Sequence, residues 1–454
     1  MFFERIFDPD LAQASFIVGD AGSREVAVID PGRDPTPYLE LLSAQRLRLR
    51  AVLETHVHAD YLSGARELAD LTGAALYLSA EGGEAWRYRY PHHPLKDGDL
   101  LALGRTRLWA LHTPGHTPEH LGFLFEAPGH TPRLLSGDAL FVGDLGRPDL
   151  LDEVAGGADT RFEGARQMFT TLQRLLGELP GTTEIWPGHG AGSACGRSLG
   201  SEPSSTLAQE QRGAWWGEPL ARGDLEAFCR ALLEDQPDAP EYFGRMKRMN
   251  LEGPPPLGEP EPLMPLDPDR LGSLRLLDVR PLEAYRAGSA AGALHLPAGS
   301  HFETWAGWLL DPAEEHALLG VGMHEAERLR RQLWQVGIDR VRGYLEDLSR
   351  LPQAPLPGVT PSALEALEDA VIVDVRARSE YAGGHIPGAR QIHTGRLRAR
   401  LQDLPRERPL VVHCQSGARS AAAASLLRSH GFDNVLDLEG GYAAWLRHRT
   451  TQPQ

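Results

Sequence analysis

Five short stretches of this chain gather histidine, aspartate or cysteine at spacings that could do chemistry. His56, His58 and Asp60 share the loop THVHADYLSG, His116 lies in HTPGHTPEH, Asp138 in LLSGDAL and His189 in WPGHG. Imidazole nitrogens and carboxylate oxygens are side-chain ligands for divalent metals. A lone histidine is more often an ordinary hydrogen-bonded group. These four clusters each follow an apolar strand or sit beside glycine, so convergence on one metal centre is the stronger reading. His92, His93, His112, His120 and His130 lack that setting and are read as ordinary. The fifth stretch is RPLVVHCQSGARSAAAASLLRSHGF. There an apolar strand ends at Cys414, and a loop of Gln415, Ser416, Gly417 and Ala418 leads to Arg419 and a helix. Such a loop turns backbone N–H groups inward, and the helix N-terminus adds positive potential. Both favour a thiolate and an anionic sulfur group beside it. Of the other cysteines, Cys195 closely follows the last histidine loop in PGHGAGSACG, and Cys229 sits on the apolar stripe of LEAFCRALLE as core packing.

These residues need strands that end where they begin. ASFIVGD, EVAVIDPG, RAVLETHVH and LWALHTPGH are apolar runs handing over to polar loops, with helices expected over 34–45, 61–72 and 161–176. That pattern predicts sheets covered by helices, with a site built from loops at the strand ends. At roughly 150 residues per domain, 454 residues suggest three domains. Proline-rich stretches at 251–269 and 351–362 divide the chain into 1–250, a linker 251–269, and blocks 270–351 and 358–454. The two small blocks repeat one unit. LRLLDVRPLEAYRAGSAAGALHLP and AVIVDVRARSEYAGGHIPGARQIH share a strand ending in Asp-Val-Arg, a tyrosine on the next helix and a glycine-rich turn. Alternating short strands and helices predict small parallel α/β domains. The net charge of −16 argues against nucleic acid or an anionic membrane as partner. Only Lys96 and Lys247 are lysines, so single arginines carry little weight by type alone. No apolar run reaches membrane-spanning length, the N-terminus MFFERIFDPD is unlike a signal peptide, and three scattered cysteines fit a reducing cytoplasm.

The histidine–aspartate pattern over residues 1–200 resembles the metallo-β-lactamase fold superfamily, whose signature is His-x-His-x-Asp-His with later histidine, aspartate and histidine ligands. The resemblance implies an αββα sandwich followed by two small parallel-sheet α/β domains. Its departure is Tyr61, which stands where the signature has its last histidine. The hydrolases of the superfamily, glyoxalase II among them, use that histidine for a second metal, and a phenol is a poor substitute. In the persulfide dioxygenase branch, a single iron is held by positions matching His56, His116 and Asp138. Two histidines and a carboxylate with open positions suit non-haem Fe(II). His58, Asp60 and His189 then orient ligands or belong to a second metal. The branch also places an arginine against the substrate's carboxylate where Arg147 stands in GDLGRPD, and bacterial dioxygenase–rhodanese fusions have a cysteine matching Cys195. Tyr61, Arg147 and Cys195 are thereby expected on the substrate side.

The Cys414 loop resembles that of rhodanese sulfurtransferases over residues 358–445, with Cys414 carrying sulfane sulfur, Arg419 anchoring loop or substrate, and Gln415 to Ala418 forming the cradle. A phosphatase of related fold would need a longer loop. The middle block has Gly320 and Glu325 opposite Cys414 and Arg419 and contains no cysteine, so it resembles a degenerate rhodanese serving as spacer or docking module. Together these imply an enzyme holding one Fe(II) per chain, with zinc the alternative. It would oxidise a low-molecular-weight thiol persulfide, such as glutathione persulfide, with O₂ to sulfite and make or use thiosulfate through Cys414. The rivals are a zinc thioester hydrolase of glyoxalase II type with a sulfur-carrier domain, and a persulfide carrier or sensor acting through Cys414. A homo-oligomer is compatible with any of them.

Overall fold

The computed structural model describes residues 1–150, 160–236, 238–367 and 369–451. The chain divides into two compact units, Met1–Gly258 and Glu259–Gln454.

The first unit has two six-stranded sheets. In one, β1 (Phe2–Asp8), β2 (Gln13–Asp20), β3 (Glu25–Ile29), β4 (Arg48–Leu53), β5 (Ala75–Ser79) and β6 (His93–Leu95) lie side by side in chain order, antiparallel up to β3 and parallel from there. In the other, β7 (Leu100–Leu103), β8 (Thr106–His112), β9 (Leu121–Glu126), β10 (Arg133–Gly137), β11 (Glu184–Pro187) and β12 (Ser205–Thr206) also follow chain order. Period-two patterning divides each strand of the first sheet between two cores. Phe16, Val18, Ala27 and Ile29 face the other sheet, packing with Leu108, Phe123 and Phe125. Ile17, Val26 and Val28 face the opposite way and pack on Tyr38, Leu42, Ala65 and Leu68, which come from the helices Thr36–Ala44 and Ala65–Thr72. The second sheet's outer face carries Ile185 against Met168, Phe169 and Leu172 of the helix Thr160–Glu178. This is the expected αββα sandwich. The helix expected from residue 61 starts only at Ala65, because Asn250 holds the backbone of the preceding loop: its amide donates to the Tyr61 carbonyl (2.8 Å) and accepts from Ser63 N (3.0 Å). The helix Phe243–Glu252, which carries Asn250, runs across the expected boundary at 250, and Glu67 accepts from Leu257 N and Gly258 N beyond it.

The second unit holds both repeats on two all-parallel sheets. One has β13 (Arg275–Asp278), β14 (Leu294–His295), β15 (His316–Leu319) and β16 (Val341–Leu345) in the order β14-β13-β15-β16. The other has β17 (Gly358–Val359), β18 (Val371–Asp374), β19 (Arg390–Gln391), β20 (Leu410–His413) and β21 (Val435–Leu438) in the order β17-β21-β20-β18-β19. The Asp-Val-Arg motif does the same job in each. Arg280 pairs with Asp278 and donates to the Gly288 carbonyl (2.7 Å), and Arg376 pairs with Asp374 and donates to the Gly384 carbonyl (2.7 Å). Tyr285 and Tyr381 each donate their hydroxyl to a backbone oxygen eight residues on, Ala293 and Ala389. The motif ties strand end, helix and turn together, so it persists in a repeat that lacks the cysteine. Among the described residues, no helix is long and apolar enough to cross a membrane.

Candidate functional site

His56, His116 and Asp138 come from three separate loops, yet one ligating atom of each lies within 4.8 Å of the others. Each is aimed by a partner elsewhere in the sandwich. Asp30, at the end of β3, accepts from Thr55 N (2.6 Å) and from the Thr55 hydroxyl (2.8 Å). With its proton committed there, the Thr55 oxygen accepts from His56 Nδ1 (2.9 Å), which leaves the Nε2 lone pair facing inward. His116 Nδ1 donates to the Arg147 carbonyl (3.1 Å), with the same result. Asp138 N donates to His120 Nε2 (3.1 Å), and His120 Nδ1 is held by Thr113 Oγ1 (2.7 Å). Asp138 Oδ2 is buried without a hydrogen-bond partner, 3.9 Å from His56 Nε2 and 3.8 Å from His116 Nε2.

Burial pushes the pKa of both imidazoles down, His56 furthest, so they are neutral bases. Burial would raise Asp138, but the charge and hydrogen bond of His189 outweigh it and hold the carboxyl well below its usual range. Two neutral nitrogens and one orphaned carboxylate oxygen, all buried, fit a divalent cation: the set lacks only the charge that would satisfy it.

A second group, Asp60, His189 and Cys195, adjoins the first. His189 bridges two carboxylates, with Nδ1 2.7 Å from Asp138 Oδ1 and Nε2 2.8 Å from Asp60 Oδ2. Burial opposes charge on this ring, but the paired carboxylates of Asp138 and Asp60 outweigh it and hold its pKa well above the ordinary value. Both of its nitrogens are engaged by carboxylates. Cys195 is buried, and that burial, against the pull of His189, pushes its thiol up to about 12.

His58 is not gathered into either group. Its Nε2 lies 2.8 Å from Glu54 Oε2 and 3.2 Å from Asp30 Oδ1. Burial disfavours its charge, yet these two carboxylates raise its pKa well above the ordinary value. The Tyr61 ring packs against His58 at 4.5 Å, tilted by 33°, and its hydroxyl donates to the Asp30 carbonyl at 3.3 Å. Its phenol, raised mainly by burial, stays protonated.

The cysteine loop is more local. Cys414 ends β20, and Gly417 N donates to its Sγ at 3.1 Å before the helix Ala418–Ser429 begins. Gly417 has φ +118°, a conformation that favours glycine. Gln415 is steadied by Arg376 (3.1 Å), and the Cys414 and Gln415 carbonyls accept from Tyr442 N and Ala443 N. Arg419 makes a two-pronged pair with Glu380 (2.6 and 2.8 Å), so its guanidinium anchors the loop. In the other repeat, Gly320 stands at the strand end with φ +80°, and a Cβ there would come within 2.4 Å of the Arg280 side chain. Arg280 thus occupies the space a sulfur-bearing side chain would need.

Comparison with known proteins separates the two sites by family. The metallo-beta-lactamase superfamily profile matches residues 8–195, and the rhodanese-like domain profile matches 360–448. A crystal structure described as a metallo-beta-lactamase from Staphylococcus aureus subsp. aureus COL is 36% identical, with a TM-score of 0.69, over 76% of this chain and 98% of that one. A probable metallo-hydrolase of Burkholderia pseudomallei is 31% identical over 242 residues, 47% of this chain and 79% of that protein. The chain belongs to the metallo-beta-lactamase superfamily. A hydroxyacylglutathione hydrolase of Gloeobacter violaceus is 39% identical over 178 residues, 38% of this chain, and the match spans only 62% of that relative's length.

Within this superfamily member, Arg147 is fully buried, so it is not one more surface arginine. Its guanidinium pairs with Asp149 and donates to the Ala194 carbonyl (3.3 Å), next to Cys195. Sequence reasoning missed the supporting residues. His120, set aside for lack of a motif, is buried and stacks on His56 at 5.0 Å. Asp30 in VIDPG and Thr55 beside His56 carried a signal in their place at strand ends. Asn250 carried none, because it reaches the loop from a helix almost two hundred residues away.

Proposed function

We propose that the first unit oxidises a low-molecular-weight thiol persulfide, such as glutathione persulfide, with O₂, and that Cys414 moves sulfane sulfur to make or use thiosulfate. The observation that carries the first half is the trio of His56 Nε2, His116 Nε2 and Asp138 Oδ2, whose carboxylate oxygen has no hydrogen-bond partner, beside a His189 whose two nitrogens are already committed to carboxylates. Fe(II) held by that trio would supply the redox chemistry that couples a persulfide to O₂. The balance is RSSH + O₂ + H₂O giving RSH, hydrogensulfite and a proton. The chain's own residues place the ligands: Thr55 and the Arg147 carbonyl fix the two imidazoles, and His120 fixes the Asp138 backbone. Arg147 acts on the substrate side through the Ala194–Cys195 wall it holds, with Tyr61 and Asp60 completing the surroundings.

In the last repeat the thiolate of Cys414 takes the outer sulfur of a persulfide, releasing the thiol, and gives that sulfur to sulfite as thiosulfate. The reverse breaks the S–S bond of thiosulfate, and sulfite leaves with the bonding electrons. The Gly417 amide faces the sulfur, and Arg419 braces the loop through Glu380.

A zinc thioester hydrolase is the second reading, favoured by the names of the hydroxyacylglutathione hydrolase relatives. The diversion of His58 to Glu54 and Asp30, and the protonated phenol at Tyr61, leave a second hydrolytic metal short of ligands. The deciding experiment offers the Fe(II)- and the Zn(II)-loaded protein both glutathione persulfide in air and an acylglutathione thioester. The proposal expects sulfite from the iron form and no thioester turnover by either. Thioester hydrolysis by the zinc form without sulfite from the iron form would replace it.

A further inference from the structure

The cysteine-free repeat reaches into the sulfur-transfer loop of its neighbour. Arg286 lies on the helix Leu282–Ala287 of that repeat, directly after Tyr285. The active repeat has Ala382 in the same place, after Tyr381, so the fold of the repeat does not call for an arginine there. Its guanidinium crosses to the other sheet and pairs with Asp437 at the end of β21. Asp437 is 1% exposed, and its other oxygen accepts from the Ser420 hydroxyl (2.6 Å) in the first turn of the helix after Cys414. Ser420 also contacts the Gly417 carbonyl (3.2 Å). The same Nη2 lies beside Gly417 itself: a Cβ there would stand 3.0 Å from it. Gly417 supplies the amide that donates to Cys414 Sγ. The repeats are joined nearby as well, since His295 N donates to Ser425 Oγ (2.9 Å) on the same helix.

A buried carboxylate behind an anion-binding loop repels the anions the loop must hold, unless a cation offsets it. We propose that Arg286 is a positioning residue of the sulfur-transfer site: it cancels the charge of Asp437 and braces Gly417, making the Cys414 cradle receptive to anionic sulfur donors such as thiosulfate. The cysteine-free repeat is then part of the site it cannot form itself. This rests on the sulfur-transfer reading of Cys414.

The test is thiosulfate:cyanide sulfurtransfer by the full chain, in which the S–S bond of thiosulfate breaks, sulfite leaves with the electron pair, and the sulfur on Cys414 passes to cyanide. The proposal orders KM for thiosulfate by local charge. Arg286→Gln should raise KM about tenfold with a smaller change in kcat, Asp437→Asn should lower it, and the double variant should return to within about threefold of wild type. Arg286→Lys should stay close to wild type. A merely structural role would lower the melting temperature and kcat without this ordering. If Arg286→Gln fails to fold, the double variant and Asp437→Asn still test the order. KM indifferent to these charges, or a double variant as impaired as Arg286→Gln, would overturn the proposal. A wild-type chain without sulfurtransfer, indistinguishable from Cys414→Ser, would instead overturn the sulfur-transfer reading and this inference with it.

Discussion

The metal trio and the cysteine loop both present sulfur-compatible groups at strand ends, but they are assembled in opposite ways. The trio draws on His56, His116 and Asp138 from three separate loops and on partners from Asp30 to Arg147, so its geometry is a property of the whole sandwich. The cysteine cradle is built from the four residues Cys414 to Gly417 between one strand and one helix, and from the first turn of that helix. Backbone amides do there what imidazoles and their partners do in the trio. A site whose donors share one turn keeps its shape when a remote support such as Arg286 is lost, and what shifts is its affinity. A site made by convergence fails when a remote support is lost.

That contrast can be broken or sharpened by substitution. The largest effect expected is from Cys414→Ser, which should abolish sulfurtransfer while O₂ uptake with glutathione persulfide persists and the product shifts to sulfite. Loss of O₂ uptake in a folded variant would show that the two sites are not separable. Next, Asp30→Asn should free the Thr55 proton and let the His56 ring turn. Titration with Fe(II) should show affinity lowered about 10–100-fold, the usual cost of losing a partner behind a metal ligand, with sulfurtransfer unchanged. Glu380→Gln should leave Arg419 with one neutral partner and slow sulfurtransfer about tenfold, measured as kcat/KM, while Fe(II) affinity stays the same. The smallest effect is a predicted absence. Gly320→Cys should add a thiol titratable in the unfolded chain but no second sulfurtransfer site in a Cys414→Ser background, because Arg280 fills that space.

The same contrast explains what was legible in the sequence. The cysteine loop could be read almost whole, since cysteine, glycine, arginine and the following helix lie in one segment. Strand patterning gave sheets covered by helices, and the family resemblance supplied the αββα order; in the structure β2 and β3 distribute their side chains between two cores. The candidate ligands of the first unit stood out as motif residues, but their partners did not. His120 looked ordinary until its ring was seen stacked on His56, and Arg147 looked like one arginine among many until it was found buried against Asp149. Asn250 is joined to the His58 loop only by folding. The role of Arg286 was hidden for the same reason: it acts on the other repeat, and nothing in its own repeat marks it.

The most direct test of the central claim is oxygen consumption by the anaerobically Fe(II)-loaded protein on addition of glutathione persulfide. The account predicts rapid uptake, one O₂ for each sulfite formed, and none from a folded His116→Ala variant. Full iron occupancy with no uptake from glutathione persulfide or any other low-molecular-weight persulfide would contradict it.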